Sequence, residues 1–417
     1  MILKYRENFT LCLAAHSILN NEMATWVGVG TSWHSDSFRA GQEAATKALK
    51  SMGQPSCDLI LVFASVRFDQ EILLKGIVSV THEALLVGCS TAGEILPEGP
   101  AHRSVVVMTI RSESMRIATG IGLEMSKDPR RAGQEVASQV SRSQLLNPHG
   151  FLMFPDGLTG NAAEVIRGVQ DVLGLSFPIV GGSAADDFLF TRTFQYFRGR
   201  VYTDAVPGIL LAGPIAVGIG ARHGWKPLGK PRQVTKASAN VVQELDGFQA
   251  VNLYETYFGK AASALKSQSL ADMSIVYPLG MPIPGEEEYL LRNVLRVDEK
   301  GSLVYAGEIP EGSEVRLMMG SKAKALEASH RAAEQAILEI APRSPRLGLV
   351  FSSCSRSRLF GREATKEVTA IRQILGETVP LIGFYDYGEQ APLTAAGFRG
   401  QSHFHNETLV VIAVAAT

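Results

Sequence analysis

Long hydrophobic runs, paired cysteines and an excess of charge of one sign are all missing from this 417-residue chain. No stretch of about 18 uninterrupted apolar residues occurs, so no membrane-spanning helix is predicted. The four cysteines form no CxxC pair, which favours a reducing cytosol and argues against a zinc knuckle. A net charge of −1, without a basic tail, gives no reason to expect a nucleic-acid partner. These absences predict a cytoplasmic protein without membrane or nucleic-acid contacts.

Nucleotide-binding motifs are missing as well. The chain has no GxxxxGK[ST] loop, and Gly218-Ile-Gly220 lacks the third glycine and the following helix of a dinucleotide fingerprint. At the N-terminus, Lys4 and Arg6 precede a short apolar segment that faintly imitates a signal peptide. That segment is too short and lacks a clean cleavage site, so we expect residues 1–23 to be a short leader or the product of a misassigned start codon rather than a secretion signal.

Repetition is the most informative feature that is present. Segment 173–181 (LGLSFPIVG) and segment 375–383 (LGETVPLIG) share their Leu-Gly, Pro and Gly spacing, and each is followed by FRG, at 197–199 and 398–400. A weaker copy lies upstream, where GCSTAGE (88–94) matches GFYDYGE (383–389). Each copy therefore places a carboxylate after a buried strand, and the three are Glu94, Asp187 and Glu389. Such repeats determine architecture.

The repeated segments predict three β-α-β units, each closed by a return strand. Continuous apolar runs at 58–64, 150–154 and 347–352 are typical of strands buried on both faces, and each precedes a helical pattern, at 69–80, 161–173 and 361–375. The predicted fold class is therefore α/β, with mixed sheets flanked by helices. We expect two domains, 24–250 and 251–417. The second and third units should superpose, with Pro178 on Pro380 and Asp187 on Glu389.

The region from 213 to 320 has a different pattern. Segment 277–288, with three prolines and two glycines, carries the strongest loop signal in the chain. Segments 290–297 and 302–306 predict a hairpin. An Ala-rich amphipathic helix is predicted over 322–340.

These motifs carry a family resemblance. LVFAS, LLVGCSTAGEI, VVVMTI and PIVGGSAADDF resemble the N-terminal half of the FIST family, and LVFSSCSRSR, VPLIGFYDYGEQAP and FHNETLVVIAV resemble its C-terminal half. The likeness covers roughly residues 24–417. It implies a sensory module that binds a small ligand, of the kind found upstream of histidine kinases, cyclic-di-nucleotide enzymes or chemoreceptors, and in animals beside an F-box. Residues 1–23 are too short for an F-box and no output domain follows Thr417, so we expect signalling to a separate protein in trans.

The loops of the first two units supply candidate ligand-binding groups. Their glycines let backbone N–H groups point into a cavity, and their carboxylates suit an ammonium group. The candidates are Cys89, Ser90, Thr91, Glu94, Ser183, Asp186 and Asp187. The alternative is that each loop is simply a tight turn.

Cys354, in the segment SSCSRSR, is the best single candidate. It follows a predicted buried strand and precedes a helix, where a thiolate is favoured. Arg356 and Arg358 could hold a carboxylate or phosphate through two hydrogen bonds. Alternatively, Cys354 is a buried small hydrophobe and the arginines are solvated or paired with Glu363 and Glu367.

Parallel strands joined by a crossover end at the same sheet edge, so the strands at 347–352 and 379–384 should end together. We therefore expect Cys354 and Arg356 to line one cavity with Tyr385 and Glu389. Arg356 should then lower the thiol pKa, and Cys354 should alkylate faster than Cys57.

Histidines leave the cofactor question open. His403 and His405 alternate before the last strand and could share a face, but no third metal ligand has suitable spacing. Some members of the family are described as haem-binding nitric-oxide sensors. His34, His149, His223 and His403 are all possible axial ligands, so the sequence predicts no cofactor while haem remains possible.

An enzyme is the less favoured interpretation. Cys354, a histidine (His403 or His405) and Glu389 could be nucleophile, base and orienting group, but no nucleophile elbow or fixed histidine motif supports this. Carboxylates in the loops suit an amine, and Arg356 or Arg358 suits a carboxylate. The sequence therefore favours a binding module for an amino-acid-like metabolite; a protein-recognition scaffold is the further alternative.

Overall fold

The computed structural model describes residues 24–259, 273–285, 288–393 and 400–416. The leader expected at 1–23, and most of the second FRG copy at 398–399, lie outside these ranges. Within them, no helix combines the length and apolar character needed to cross a bilayer.

Two units of the same design occupy the first half of the chain. In each, the order is edge strand, helix, strand, helix, strand, hairpin and return strand. Unit 1 comprises β1 (Thr25–Ser32), α1 (Ser37–Met52), β2 (Leu59–Ala64), α2 (Gln70–Thr81), β3 (Leu85–Ser90), the hairpin β4 (Glu94–Leu96) and β5 (Gly99–Ala101), and β6 (Val105–Ser112). Unit 2 comprises β7 (Arg116–Leu123), α3 (Pro129–Ser141), β8 (Pro148–Met153), α4 (Ala162–Leu173), β9 (Ile179–Gly182), the hairpin β10 (Gln195–Phe197) and β11 (Arg200–Tyr202), and β12 (Ala205–Ala212).

Unit 3 repeats the design around an insertion. It begins with β13 (Ile215–Arg222). The insertion (223–321) holds β14 (Lys226–Ser238), β15 (Val241–Leu245), β16 (Phe248–Gln249), α5 (Asn252–Phe258), β17 (Leu279–Pro282), β18 (Tyr289–Arg292), β19 (Val294–Val297), β20 (Leu303–Tyr305) and β21 (Glu314–Met319). Unit 3 then continues with α6 (Lys322–Ile340), β22 (Leu347–Ser353), α7 (Cys354–Phe360), a 3₁₀ turn (Gly361–Glu363), α8 (Thr365–Leu375), β23 (Leu381–Asp386), the hairpin β24 (Glu389–Pro392) and β25 (Ser402–His405), and β26 (Leu409–Ala416).

Helix starts are fixed locally by side-chain caps. Asp69 accepts a hydrogen bond from Ile72 N at the start of α2, and Asn161 accepts one from Ala163 N at the start of α4. Ser321 caps α6 in the same way. These helices begin within one residue of the predicted positions because the caps are encoded next to the first turn.

The three units exchange hairpins in a closed cycle. The six-stranded sheets have the orders β1-β6-β2-β3-β10-β11, β7-β12-β8-β9-β24-β25 and β13-β26-β22-β23-β4-β5. The hairpin of unit 1 thus completes the sheet of unit 3, that of unit 2 completes unit 1, and that of unit 3 completes unit 2. The mixed α/β fold is as predicted, whereas the exchange was not foreseen. Each hairpin covers a strand edge that would otherwise expose unpaired backbone groups.

A ring of backbone hydrogen bonds closes where the exchanged segments leave their own units. In each unit, a backbone N–H in the loop that follows the second parallel strand donates to a backbone carbonyl of another unit. The three bonds join Ala92 N to Tyr385 O, Ala185 N to Ser90 O, and Tyr387 N to Ser183 O, at 2.9, 2.9 and 3.2 Å. The loops that follow β3, β9 and β23 are therefore held together around one pseudo-threefold axis.

Aromatic side chains fill the space on this axis. Phe63, Phe154 and Phe351 occupy equivalent positions at the ends of β2, β8 and β22, and all three are fully buried. Their ring centroids lie 5.4, 6.2 and 5.7 Å apart in edge-to-face arrangements. Such pairs add to the stability gained from burial alone.

The two proline motifs are equivalent, as predicted. The carbonyl of Pro178 accepts a hydrogen bond from Phe151 N, and that of Pro380 accepts one from Gly348 N, both at 2.9 Å. Each proline immediately precedes the second parallel strand of its unit, where its missing N–H is not needed by the ladder.

The insertion forms a fourth sheet, with the order β18-β17-β21-β14-β15-β20-β19 and β16 beside β15. The predicted hairpin is present as β19 and β20. The prediction of a loop over 277–288 is partly wrong, because β17 lies within it and pairs with β18 and β21. The edge strand β13 precedes residue 250 but pairs with β26 along its whole length, so the third sheet draws on both sides of the predicted domain boundary.

Glycines at the same position in each unit allow the parallel strands to pack closely. A Cβ on Gly88, Gly181 or Gly383 would lie only 1.8–1.9 Å from the carbonyl oxygen of Val62, Met153 or Val350. Gly383→Ala should therefore lower the free energy of unfolding by about 3 kcal/mol or more, since backbone atoms must move. Urea denaturation monitored by circular dichroism measures the change.

The matched control is Gly150→Ala in β8, where a new Cβ would meet its nearest atom at 3.8 Å. This variant should stay within about 1 kcal/mol of the wild type. Equal effects of the two substitutions would contradict the close packing of β22 against β23.

Candidate functional site

A cavity of about 160 Å³ lies at the carboxyl ends of the strands of unit 3. Its walls come from unit 3, from two loops of unit 2 and from the insertion. The lining residues are Gly157, Leu158, Phe188, Phe190, Ser274, Ile275, Asn293, Val294, Leu295, Ala306, Ser353, Cys354, Ser355, Arg358, Tyr387 and Asn406. We call this space the Cys354 cavity. Its position is the one where open α/β sheets usually bind ligands.

Cys354 is the first residue of α7 and directly follows β22. It lines the cavity together with Arg358, one helical turn further on. Burial raises the pKa of the Cys354 thiol well above its usual range, and the nearby carboxyl groups of Asp386 and Glu407 raise it further. The expectation of a lowered thiol pKa is therefore wrong, and fast alkylation of Cys354 is no longer expected.

Arg356 does not line the cavity, contrary to the prediction. Its side chain is completely buried, and its guanidinium pairs with Glu367, with Nη2 at 2.6 Å and Nε at 3.0 Å from Oε1. Its other N–H groups donate to the carbonyls of His223 and Ala325, at 2.7 and 3.0 Å. The alternative of pairing with Glu367 is thus the correct one, and Arg356 fastens α7 to α6 and α8.

An aromatic wall closes one side of the cavity. The rings of Tyr387 and Phe190 are stacked with centroids 4.8 Å apart, and the Arg358 guanidinium lies 4.4 Å from the centroid of Phe188. Tyr387 Oη donates a hydrogen bond of 2.6 Å to Asp186. Asp186 also accepts backbone N–H groups of residues 190–192, so its carboxylate shapes this loop.

Buried carboxyl groups lie behind the cavity. Burial raises the pKa of Asp386 to about 7 and that of Glu407 to about 8. The pKa of Glu389 is raised well above its usual range, first by burial and then by the nearby carboxyl group of Asp386. Each of these two neighbouring carboxyl groups disfavours ionisation of the other, because two like charges are costly out of water.

The inner wall of the cavity carries buried acceptor atoms that receive no hydrogen bond. The Oδ1 atoms of Asn293 and Asn406 are buried, and neither has a partner among the described residues. Asn293 Nδ2 is already used, donating to Ser355 Oγ at 2.9 Å. A buried acceptor without a donor is costly, so this wall is suited to a ligand that brings N–H groups.

The loop residues predicted in units 1 and 2 lie elsewhere. Thr91 and Ser104 donate to Glu94, whose pKa burial raises to about 8. Ser65 donates to Asp187 at 2.6 Å. The other predicted residues that do not line the cavity are buried in the sheets or bonded within the loops: Cys89, Ser90, Ser183, Tyr385 and Glu389. The tight-turn alternative describes these loops well, and their binding of a ligand stays a prediction.

The predicted histidines do not converge. His403 lines a second, separate cavity, and burial lowers its pKa to about 4. His405 Nε2 lies 3.0 Å from Ala391 O. Within the described ranges, no three His, Cys, Asp or Glu side chains are grouped to hold a metal ion.

The other candidate haem ligands each make a hydrogen bond or an ion pair within the protein. His149 Nε2 lies 2.9 Å from Gly213 O, and His223 Nε2 lies 2.7 Å from Glu288 Oε2. His34 Nδ1 accepts a hydrogen bond from Asp36 N. An engaged ring nitrogen does not exclude ligation through the other one, so haem binding stays a prediction.

Asn293 is a cavity-lining residue that the sequence analysis did not predict. It interrupts the apolar strand pattern of 290–297 together with Arg292, and this polar pair inside a predicted strand was the available signal. Asn406 and Tyr387 were equally inconspicuous, because their role depends on the insertion packing over unit 3.

Comparison with known proteins places this arrangement in a family. The FIST N domain matches residues 58–248, and the FIST C domain matches residues 250–392. The chain belongs to the FIST family. FIST domains are in general sensory domains for small ligands and are associated with signalling proteins.

Related FIST sequences are uncharacterised. A protein of Mycobacterium tuberculosis strain H37Rv is 27% identical over 390 residues, spanning 88% of this chain and 95% of that protein. A protein of Methanocaldococcus jannaschii is 28% identical over 250 residues, which span 56% of this chain and 48% of the relative.

Solved structures resemble the FIST chain only distantly. A cyanuric acid hydrolase from A. caulinodans aligns with a TM-score of 0.32 and 9% identity, over 94% of this chain and 100% of that one. A chorismatase aligns with a TM-score of 0.35 and 9% identity, over 94% and 99%. Similarity this low carries no argument about activity.

The Arg356–Glu367 ion pair is expected to be structural. Arg356→Met should lower the free energy of unfolding by about 3–5 kcal/mol, because it leaves the Glu367 carboxylate buried without a counter-ion. Urea denaturation measures this loss. Lys366→Met, which breaks an exposed pair with Glu363, is the control and should unfold close to wild type. A wild-type midpoint for Arg356→Met would argue against the buried pair.

Stability should fall as the pH rises from about 5 to about 8. In this window the folded state keeps protons on Glu94, Asp386 and Glu407, whose pKa values are raised to about 8, 7 and 8, whereas the unfolded chain loses them near pH 4. Each group changes the free energy of unfolding by up to about 1.4 kcal/mol per pH unit. Its stabilising contribution is fully present below the pKa of the unfolded state and is lost as the pH rises through the pKa of the folded state.

Unfolding free energies at pH 5, 6.5 and 8 check this dependence. Glu407→Gln should flatten the pH profile, because the amide mimics the protonated acid. Glu334→Gln on the exposed face of α6 is the control and should keep the wild-type slope. A stability that rises from pH 5 to 8 would contradict the raised pKa values.

Proposed function

We propose that this FIST protein is a sensory module that binds a small amino-acid-like ligand in the Cys354 cavity and passes its state to a signalling partner. The observation that carries the proposal is the pairing of two chemistries across one small space. The lining includes buried oxygen atoms that receive no hydrogen bond, and it also includes the guanidinium-bearing Arg358.

The size of the cavity supports a small ligand. Its volume of about 160 Å³ is close to that of an engineered cavity of about 150 Å³ that holds benzene. Pockets for drug-sized molecules measure about 300–1,000 Å³. A single amino acid with a modest side chain therefore fits better than a nucleotide or a haem group.

The ammonium end of such a ligand has suitable partners. An ammonium group carries three N–H donors and no acceptor, which complements the free Oδ1 atoms of Asn293 and Asn406. Glu407 lies behind them, beside Asn293 and Ser355. Ionisation of this carboxyl group on ligand binding would add a charge-assisted attraction.

The carboxylate end suits Arg358, whose planar guanidinium can donate two parallel hydrogen bonds. Stacking over Phe188 orients this side chain. The apolar walls at Phe190, Val294 and Leu295 then face the side chain of the ligand and set its preferred size.

The state of Cys354 supports binding rather than catalysis. A cysteine nucleophile reacts as the thiolate, which a lowered pKa or an adjacent base must provide. Burial raises the thiol pKa here, and the nearby charged groups that raise it further are carboxyls. We therefore propose that the protein is not an enzyme at this site.

Signal output is proposed to start at the loop 187–190. Phe188 and Phe190 have positive φ angles of 65° and 52°, a conformation that side chains other than glycine rarely adopt. Leu189 and Phe190 are 62% and 54% exposed beside the cavity. A ligand that contacts this loop can change the surface offered to a partner, such as a histidine kinase or a cyclic-di-nucleotide enzyme.

Isothermal titration calorimetry with the twenty amino acids tests the proposal. One or a few should bind, and at a concentration near 100 Kd should stabilise the protein by about 2.7 kcal/mol. Arg358→Ala should weaken binding at least tenfold by removing the carboxylate partner. Arg362→Ala, on the exposed 3₁₀ turn that follows α7, is the matched control and should bind like the wild type. Failure of every amino acid to bind the folded protein would sink the proposal and favour a protein-recognition scaffold.

A further inference from the structure

A second and larger cavity, of about 330 Å³, lies between α4 of unit 2, strands β17 and β18 of the insertion, and the exchanged strand β25. Its polar lining includes Arg167, Gln170, Arg292, Glu308 and His403. We infer that this space, which we call the Arg292 cavity, binds a small organic anion with an apolar body and one carboxylate or phosphate group. This site is separate from the Cys354 cavity and does not depend on the function proposed for it.

Arg292 is the main observation behind this inference. Its side chain is only 2% exposed, and it donates to backbone carbonyls alone: Nε to Glu308 O at 2.9 Å, and Nη1 to Leu291 O and Phe404 O at 2.8 and 3.2 Å. Among the described residues, no carboxylate forms an ion pair with it and no acceptor binds its Nη2. A buried charge is costly without a counter-ion, so the lining leaves a place for an anion.

A second guanidinium, that of Arg167, also lines the cavity. Arg167 pairs with Glu164 and Glu308, so its charge is already balanced. Burial and the proximity of Arg167 both lower the pKa of Arg292, to about 10, but leave it protonated at neutral pH. Glu308 attracts both guanidinium groups but forms its ion pair with Arg167, so Arg292 is the one that has no ion-pair partner among the described residues.

The remaining lining sets the class of ligand. Ile166, Met281, Leu290 and Phe404 present apolar surface. His403 is neutral at physiological pH, because burial and the nearby arginines lower its pKa to about 4. A volume of about 330 Å³ is too large for a bare inorganic ion and lies at the lower end of the range for organic ligands. An aromatic or branched acid therefore fits the cavity best.

The Arg292 cavity also bridges two parts of the molecule. Arg167 and Asn161 of unit 2 both contact Glu308 of the insertion. A bound anion would compete with Glu308 for Arg167 and would thereby change the contact between the insertion and unit 2.

Four probes of similar size test the site by calorimetry on the full chain: benzoate, phenyl phosphate, benzyl alcohol and benzylamine. At least one anion should bind ten or more times tighter than the neutral and cationic probes, and the comparison of benzoate with phenyl phosphate decides between carboxylate and phosphate. Equal affinity for all four probes, or tighter binding of benzylamine, would overturn the inference.

Variants locate the binding. Arg292→Met removes a buried group and can prevent folding, so two milder changes are used. Ala163→Phe places a larger side chain in the cavity from α4. Arg167→Met removes the ion-pair partner of Glu308, whose carboxylate then repels the anion. Each variant should weaken anion binding at least tenfold. Arg130→Met on α3, which breaks an exposed pair with Asp171, is the matched control and should change the affinity less than twofold.

Independence from the Cys354 cavity is checked with Arg358→Ala, which should leave anion binding unchanged. Loss of anion binding in this variant would assign the anion to the Cys354 cavity and overturn the inference. Wild-type anion affinity in both Ala163→Phe and Arg167→Met would do the same. Amino-acid binding can fail without affecting either result, so the two proposals are distinguishable.

Discussion

The cyclic exchange of hairpins is the constraint on which the rest of this structure depends. Each six-stranded sheet ends in two strands that belong to another unit, so no unit completes its sheet alone. The loops that lead into the hairpins must then cross between units at one place. Backbone hydrogen bonds and the central phenylalanine cluster hold them there. Sites at the carboxyl ends of the strands are consequently built from more than one unit.

The insertion makes unit 3 different from its two relatives. Position 354 corresponds to Val66 in unit 1 and Gly157 in unit 2. The residues before them, Ser65, Asp156 and Ser353, each donate a backbone N–H over 3.0 Å to a carbonyl at or directly before the start of the return strand. Only in unit 3 does the insertion add a further wall, which brings Asn293 opposite α7. A nearly symmetric scaffold thus acquires one asymmetric cavity.

The two cavities have opposite chemistry although the insertion contributes to both. The Cys354 cavity has buried acceptors without donors, and buried carboxyl groups lie behind it. The Arg292 cavity has a buried cation without an anion. Both leave buried polar groups that a ligand could satisfy, as is expected of a binding site.

Local sequence patterns were sufficient to predict the repeated units, the starts of the capped helices and the family. Caps such as Asp69 and Asn161 act within one helical turn, and strands buried on both faces need continuous apolar runs. Both features can therefore be recognised from neighbouring residues in the sequence. The position of Cys354 after a buried strand was also correct. These features depend on neighbours only a few residues away.

The pairing of the hairpins and the set of side chains that line the cavity depend on contacts between segments distant in sequence. The residues of a short hairpin do not indicate which sheet the hairpin will complete. Strand β17 forms in a proline-rich segment because it pairs with β18 and β21 on either side. Arg356 and Arg358 are two residues apart on one short helix, so they point in different directions, one into the core and one to the cavity. The raised pKa of Cys354 has the same origin, because it results from burial and from carboxyl groups distant in sequence.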